Sequence, residues 1–162
     1  VHDLLPNRVG GAALQKNLET LGDIQYTQEE IDFALELQRN NGKPEIGIDG
    51  KIRPLRETLN SPGGGSTDSG DVSYNVPVVS LAATTAPKGV PWHSWSVVAS
   101  SGMSIGHKGM LHAAKALGMT MVDIFKDSKL RENIKKEFDE KIGEYEYDPY
   151  LDPGPPPIDY VD

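Results

Sequence analysis

Val76-Pro-Val-Val-Ser-Leu-Ala-Ala-Thr-Thr85 is the stretch on which the reading of the fold turns. Its apolar residues do not alternate strictly, so the pattern predicts a strand covered on both faces, as in an α/β sheet. Pro77 lies near its start, where a missing backbone donor is tolerated. Just upstream, Gly63-Gly-Gly-Ser-Thr-Asp-Ser-Gly-Asp-Val72 joins a glycine run to two acidic side chains, Asp68 and Asp71. Just downstream, Pro91-Trp-His-Ser-Trp95 sets His93 between two indoles. A permissive loop, a core strand and then a histidine together bring polar groups to the rim of a sheet. They predict part of an active site.

The totals narrow the classes. A chain of 162 residues fits one domain with a real core. At a formal charge of -8, with no basic stripe to neutralise phosphates, nucleic acid is not an expected partner. The absence of cysteine excludes disulfides, thiolate nucleophiles and Cys-ligated metal, and leaves the cytoplasm as the default compartment. No apolar run approaches a membrane span. The chain opens on Val1 rather than Met, which is the expectation for a piece of a longer or processed polypeptide.

Helical spacing recurs either side of the strand. Val9, Ala13, Leu14, Leu18 and Leu21 follow Asn7 as an N-cap, with Gly22 as the stop and small residues at Gly10-Gly11 that let another backbone approach. Thr27-Gln-Glu-Glu30 is a capping box ahead of Ile31, Ala34, Leu35 and Gln38. Asp49-Gly50 signals a hairpin, though a crossing loop fits the segment equally well. From Met103 to Lys126, with Ser104 as the expected N-cap, Met110, Leu111, Ala114, Leu117, Met121, Ile124 and Phe125 fall on one side. Leu130, Ile134, Phe138 and Ile142 mark a last helix, supported by Glu132–Lys136 and Glu137–Lys141 pairs. The boundaries are therefore a domain over 1–142 and a Pro-rich acidic tail over 143–162, either an extended strap or disordered.

His93 is the sharpest chemical candidate, because a neutral imidazole fixed by its neighbours is a good zinc or manganese ligand. A loop histidine beside two core tryptophans is the plainer alternative. Asp68 and Asp71 could orient a ligand or bind a substrate amine, or simply cap their own turn. His107, in the first turn of the long helix beside Ser104 and Lys108, suits a substrate carboxylate. A partly exposed histidine at a helix end is the plainer reading and the preferred one for this residue taken singly. His112 reads as structural and His2 as uninformative. No metal site closes within these residues.

Taken together, His2-Asp-Leu-Leu-Pro6, Ser66-Thr-Asp-Ser-Gly-Asp-Val72, Thr85-Ala-Pro-Lys-Gly89, His93-Ser-Trp95 and Ser104-Ile-Gly-His-Lys-Gly-Met-Leu-His-Ala-Ala-Lys115 resemble the C-terminal part of the metallo-aminoacylase and carboxypeptidase family. The strongest likeness is to its aminobenzoyl-glutamate amidohydrolases. The resemblance implies a mixed-sheet catalytic domain with flanking helices, interrupted by a lid and dimerisation domain, in a homo-oligomer. It also implies two zinc or manganese ions that activate water against an amide. On that likeness His93 matches the last metal ligand and Thr67-Asp68 the loop beside the metals, with Asp71, Ser94 and His107 as supporting or substrate-binding residues. The general base and the other ligands would belong to an upstream half of the catalytic domain. Val97 and Val98 stand where many members carry an acidic residue, which bears on substrate choice.

Two functions follow. The chain is part of a two-metal amidohydrolase cleaving an N-acyl or aminobenzoyl amino acid or dipeptide, and is inactive alone. Alternatively it is a non-catalytic, split or decayed subunit that acts as a protein-interaction module.

Overall fold

Asn7 acts as the sequence suggests: its side-chain oxygen accepts from the Gly10 amide at 2.8 Å, and α1 (Arg8–Leu21) follows. The computed structural model describes residues 2–56, 67–151 and 154–155. Gly22, at φ 74°, ends α1 in a left-handed conformation open to glycine. Thr27 and Glu30 form the reciprocal capping box, with bonds of 3.3 and 2.7 Å, that starts α2 (Gln28–Asn40). After α3 (Ser69–Ser73) and α4 (Trp95–Ser101) comes α5 (Ser104–Lys126), entered through Met103 with no side-chain cap. Asp127 then accepts from the Leu130 amide at 3.0 Å and opens α6 (Ser128–Ile142). The glycine run at 63–65 and Ser66 lie outside the described residues.

α5 is the hub, packed against α1, α4 and α6. Asn17 of α1 donates to Thr120 at 3.0 Å and to Asp123 at 2.8 Å, both on α5. Asn7 donates to the Ile134 carbonyl at 2.9 Å, tying α1 to α6. Glu137 of α6 accepts from the amides of Arg8 and Val9 at 2.8 and 2.7 Å, so a carboxylate from one helix satisfies the free amides that begin another. Burial pushes the Glu137 carboxyl up, but Lys141 and those two amides hold it below the ordinary value.

The expected sheet does not form, and the α/β assignment is corrected to an all-helical arrangement. Among the described residues the sole bridge is an isolated parallel one between Pro6 and Val78. Residues 76–85 are extended but lie between helices rather than strands. A Cβ on Gly10 of α1 would fall 2.4 Å from Val79, and one on Gly109 of α5 would fall 2.2 Å from the Thr84 carbonyl. The Thr84 hydroxyl donates to the Asp49 carbonyl at 2.7 Å. Valine, leucine and threonine favour strands because they pack well on a pleated surface, and the same shapes serve an extended segment wedged between helices. Nor is the segment covered on both faces: Val76, Ser80 and Ala82 are exposed. Around Asp49-Gly50 the chain takes the crossing-loop course, with the Ile24 amide donating to the Gly50 carbonyl at 2.9 Å.

A second correction concerns which side of the long helix is inside. Its buried residues are Ile105, Gly106, Gly109, Ala116 and Thr120. Met110, Leu111, Ala114, Leu117, Met121 and Phe125, the face that periodicity marked, are exposed.

Candidate functional site

The candidate residues fall on three elements. Thr67 and Asp68 are exposed at the entrance to α3. The Thr67 hydroxyl is engaged locally, accepting from the Ser69 amide at 3.3 Å and donating to the Ser69 hydroxyl at 3.2 Å. Asp68 caps α3 by position but makes no side-chain cap bond. Asp71 points the other way. Its Oδ1 takes His2 Nδ1 at 2.9 Å and the Tyr147 hydroxyl at 3.1 Å, and the His2 bond, ahead of the other contacts, holds its carboxyl below the usual range.

His93 and Ser94 form the approach to α4. His93 is the one non-glycine residue with positive φ among the described residues, at 59°. That region is uncommon for a side-chain-bearing residue, and such strain gathers at functional positions. Its ring is exposed, and the flanking indoles do not shield it: Trp92 is 71% and Trp95 57% accessible. The tryptophans are therefore not part of the core, and this corrects both readings of His93, each of which had the indoles buried or excluding water. Ser94 spends its hydroxyl on the Pro91 carbonyl at 2.5 Å and precedes the helix as N-cap.

His107 lies exposed in the first turn of α5, while its neighbour Lys108 is already taken. Lys108 Nζ donates to Glu30 at 2.6 Å and to the Gln25 carbonyl at 2.9 Å, and stands 5.6 Å over the Tyr26 ring. The positive charge read as an anion site serves a carboxylate of α2 instead. Burial pushes Glu30 up, but Lys108, the Ser104 hydroxyl and the Thr27 amide overcome this and draw it down to about 2. Tyr26 is pushed up to about 12, first by burial and then by Glu30 and Asp49.

This pair makes a pH prediction. The carboxyl of Glu30 is depressed in the fold, so its contribution is fully present above the unfolded value of 4.5 and is lost as pH falls toward about 2. With Lys108 34% exposed and partly screened, we expect on the order of 2 kcal/mol. Chemical denaturation from pH 6 down to pH 2 reads it. Glu30→Gln should be less stable at pH 6 and should flatten the acid limb, and an unchanged limb would contradict the assignment.

The residue that sequence reasoning missed is His2. Its side chain is 7% exposed, bonded to Asp71 and to the Tyr145 hydroxyl at 3.0 Å, and stacked on Tyr150 with centroids 4.3 Å apart and planes 4° off parallel. Tyr74 and Tyr147 complete the cluster at 5.1 and 5.3 Å. Four of the six tyrosines converge here, three of them from residues 145–150, which form a strap rather than a loose end. The signal was the tyrosine-rich tail. A lone histidine at position 2 offered no periodicity to read.

No hydrogen bond or ion pair among the described residues links the α3, α4 and α5 candidates, and no three His, Asp or Glu side chains gather into a metal-binding group there. A surface groove between α1 and the α5–α6 junction is lined by none of them. Among the described residues no helix is long and apolar enough to cross a membrane. No family model matches the chain, and no solved structure does. It is, however, 34% identical over 157 residues to a p-aminobenzoyl-glutamate hydrolase subunit of Escherichia coli (strain K12). The chain is homologous to part of that protein. The match covers 82% of this chain and 33% of the E. coli hydrolase subunit, so the chain spans about a third of its relative's length. The resemblance to the aminobenzoyl-glutamate amidohydrolases is borne out. In the E. coli relative the corresponding stretch works within a chain about three times as long.

Proposed function

We propose that this chain forms part of a metal-dependent amidohydrolase that cleaves the amide of an N-acyl or aminobenzoyl amino acid or dipeptide. The observation that carries the reading is the homology to a hydrolase over most of the chain. On their own the described residues do not fit a divalent ion, since tight zinc or manganese sites need three or four converging donors and no three gather among them, around His93 or elsewhere. In this reading His93 is one donor, and a bridging carboxylate, a general base and the remaining ligands come from other polypeptide. Two zinc or manganese ions belong to that complete enzyme. His93 suits the part because its ring is exposed and its backbone is held in a strained, specific conformation. Thr67, Asp68, Ser94 and His107 are the groups this chain would add around the substrate, with Asp71 orienting the loop from its anchor on His2.

Titration calorimetry with zinc tests the assignment. The chain alone should show no tight site. When it is co-expressed with polypeptide corresponding to the rest of the E. coli relative, stoichiometric binding should appear, and His93→Ala should weaken it by about tenfold or more. A tight site in the chain alone that survives His93→Ala would defeat the reading. One observation favours the interaction-module alternative, namely the exposed apolar face of α5. Docking without hydrolysis in the co-expressed pair would select it.

A further inference from the structure

Among the described residues, seven apolar side chains are buried while seventeen large ones are exposed, and six of the latter stand on α5. At 100° per residue, Met110, Leu111, Leu117, Met121, Val122 and Phe125 fall within an arc of roughly 140° that holds no Asp, Glu, Lys or Arg from end to end. Ala114 and Gly118 fill the gaps, Met103 lies at its head, and His107 is its one titratable member. Every residue on the arc is exposed, and a helix of 23 residues makes the strip about 34 Å long. The opposite side of the same helix, at Ile105, Gly109, Ala116 and Thr120, is buried. Two apolar sides, separated by Lys108, Lys115, Asp123 and Lys126, give this helix a second face suited to packing.

The neighbouring helix supplies the contrast. The exposed side of α6 carries Arg131, Glu132, Lys135, Lys136, Asp139 and Glu140, as expected of a face built for water. The two helices adjoin, in a chain of net charge -8, and only α5 withholds charge from its outer side. On and just before α4, Trp92, Trp95 and Val98 are likewise each more than half exposed. Exposed apolar areas of this extent mark contact surfaces.

We infer that the outer face of α5, from Met103 to Phe125, is the surface on which the remaining two thirds of a hydrolase like the E. coli relative docks. The occupant is set by length: that relative carries about twice as much polypeptide again outside the matched stretch. The inference rests on the homology to a longer protein and not on the metal role of His93.

The test is co-expression of this chain with a tagged polypeptide carrying the part of the E. coli relative outside the match, read by co-purification and sedimentation. The unsubstituted pair should co-purify one to one. The triple substitution Met110→Lys, Leu117→Lys, Phe125→Lys should cut recovery by about tenfold or more while leaving the melting temperature of the chain itself unchanged, because all three side chains are exposed. His93→Ala should co-purify as the parent does, which separates a failure of docking from a failure of the metal assignment. Docking is overturned if the parent pair does not co-purify or if the triple variant co-purifies equally well. It is also overturned if the chain alone forms a dimer, or binds phosphatidylcholine vesicles, that the triple substitution abolishes.

Discussion

Gln38→Leu is expected to destabilise the protein by about 3–5 kcal/mol, although leucine nearly matches glutamine in volume and suits a helix. Gln38 is fully buried on α2. Its Nε2 donates to the carbonyls of Gly47 at 2.9 Å and Lys88 at 2.8 Å. Its Oε1 accepts from the amides of Ile46 at 2.9 Å and Gly47 at 2.8 Å. One amide group thus completes four bonds and clamps two loops to the helix, including Gly47 at φ 69°. Leucine would strand up to four backbone groups at roughly 1–3 kcal/mol each, with Ile46 relieved in part because its side of the loop reaches water. For a chain of this size the melting temperature should fall by roughly 10 °C. Gln38→Glu should be nearly as damaging, since an ionised carboxylate can accept from the two amides but cannot donate to the two carbonyls. A loss below about 2 °C for both variants would mean that solvent serves these loops.

Gly109→Ala should cost about 2–4 kcal/mol, against the sign that helix propensity alone demands. Within a helix alanine is favoured over glycine by about 1 kcal/mol. At position 109, however, the new Cβ would lie 2.2 Å from the Thr84 carbonyl oxygen and 2.9 Å from Thr85 Cγ2, and the first of these is backbone that cannot swing aside. Gly118→Ala is the control on the same helix. Nothing lies within 4 Å of its Cβ, so it should stabilise by about 0.5–1 kcal/mol. Opposite shifts from the two alanines, read by thermal melting, establish that residues 84–85 are seated against α5. Gains of equal sign would remove the segment from that contact.

What was legible in the sequence was mostly local. The caps at Asn7, Thr27 and Gly22 follow from chemistry within four residues, and all are present, whereas Ser104, expected as an N-cap, is instead the first residue of α5 behind an uncapped Met103. The error over Val76–Thr85 has a different origin. A strand is defined by the hydrogen bonds of its neighbours, and nothing within ten residues announces whether those neighbours exist. The error over α5 is one of phase. Periodicity detects an apolar stripe, but this helix carries two, and the larger side chains of Met110, Leu117 and Phe125 outweighed the small ones at Gly109, Ala116 and Thr120 that are buried. At the candidate site, His93 and the Thr67-Asp68 turn rest on motif alone. His2 was missed, because its importance depends on tyrosines more than 140 positions away.

The meeting of His2 with Tyr150 has a consequence for topology. Polypeptide preceding the one and following the other would emerge at a single spot on the surface, so the helices between them behave as a cassette. Such a cassette can be spliced into a loop of a host protein without prising that loop open. It can also be circularly permuted, by a short linker joining the two sides of the tyrosine cluster and a new opening cut elsewhere, with the α1–α5–α6 packing left as it stands.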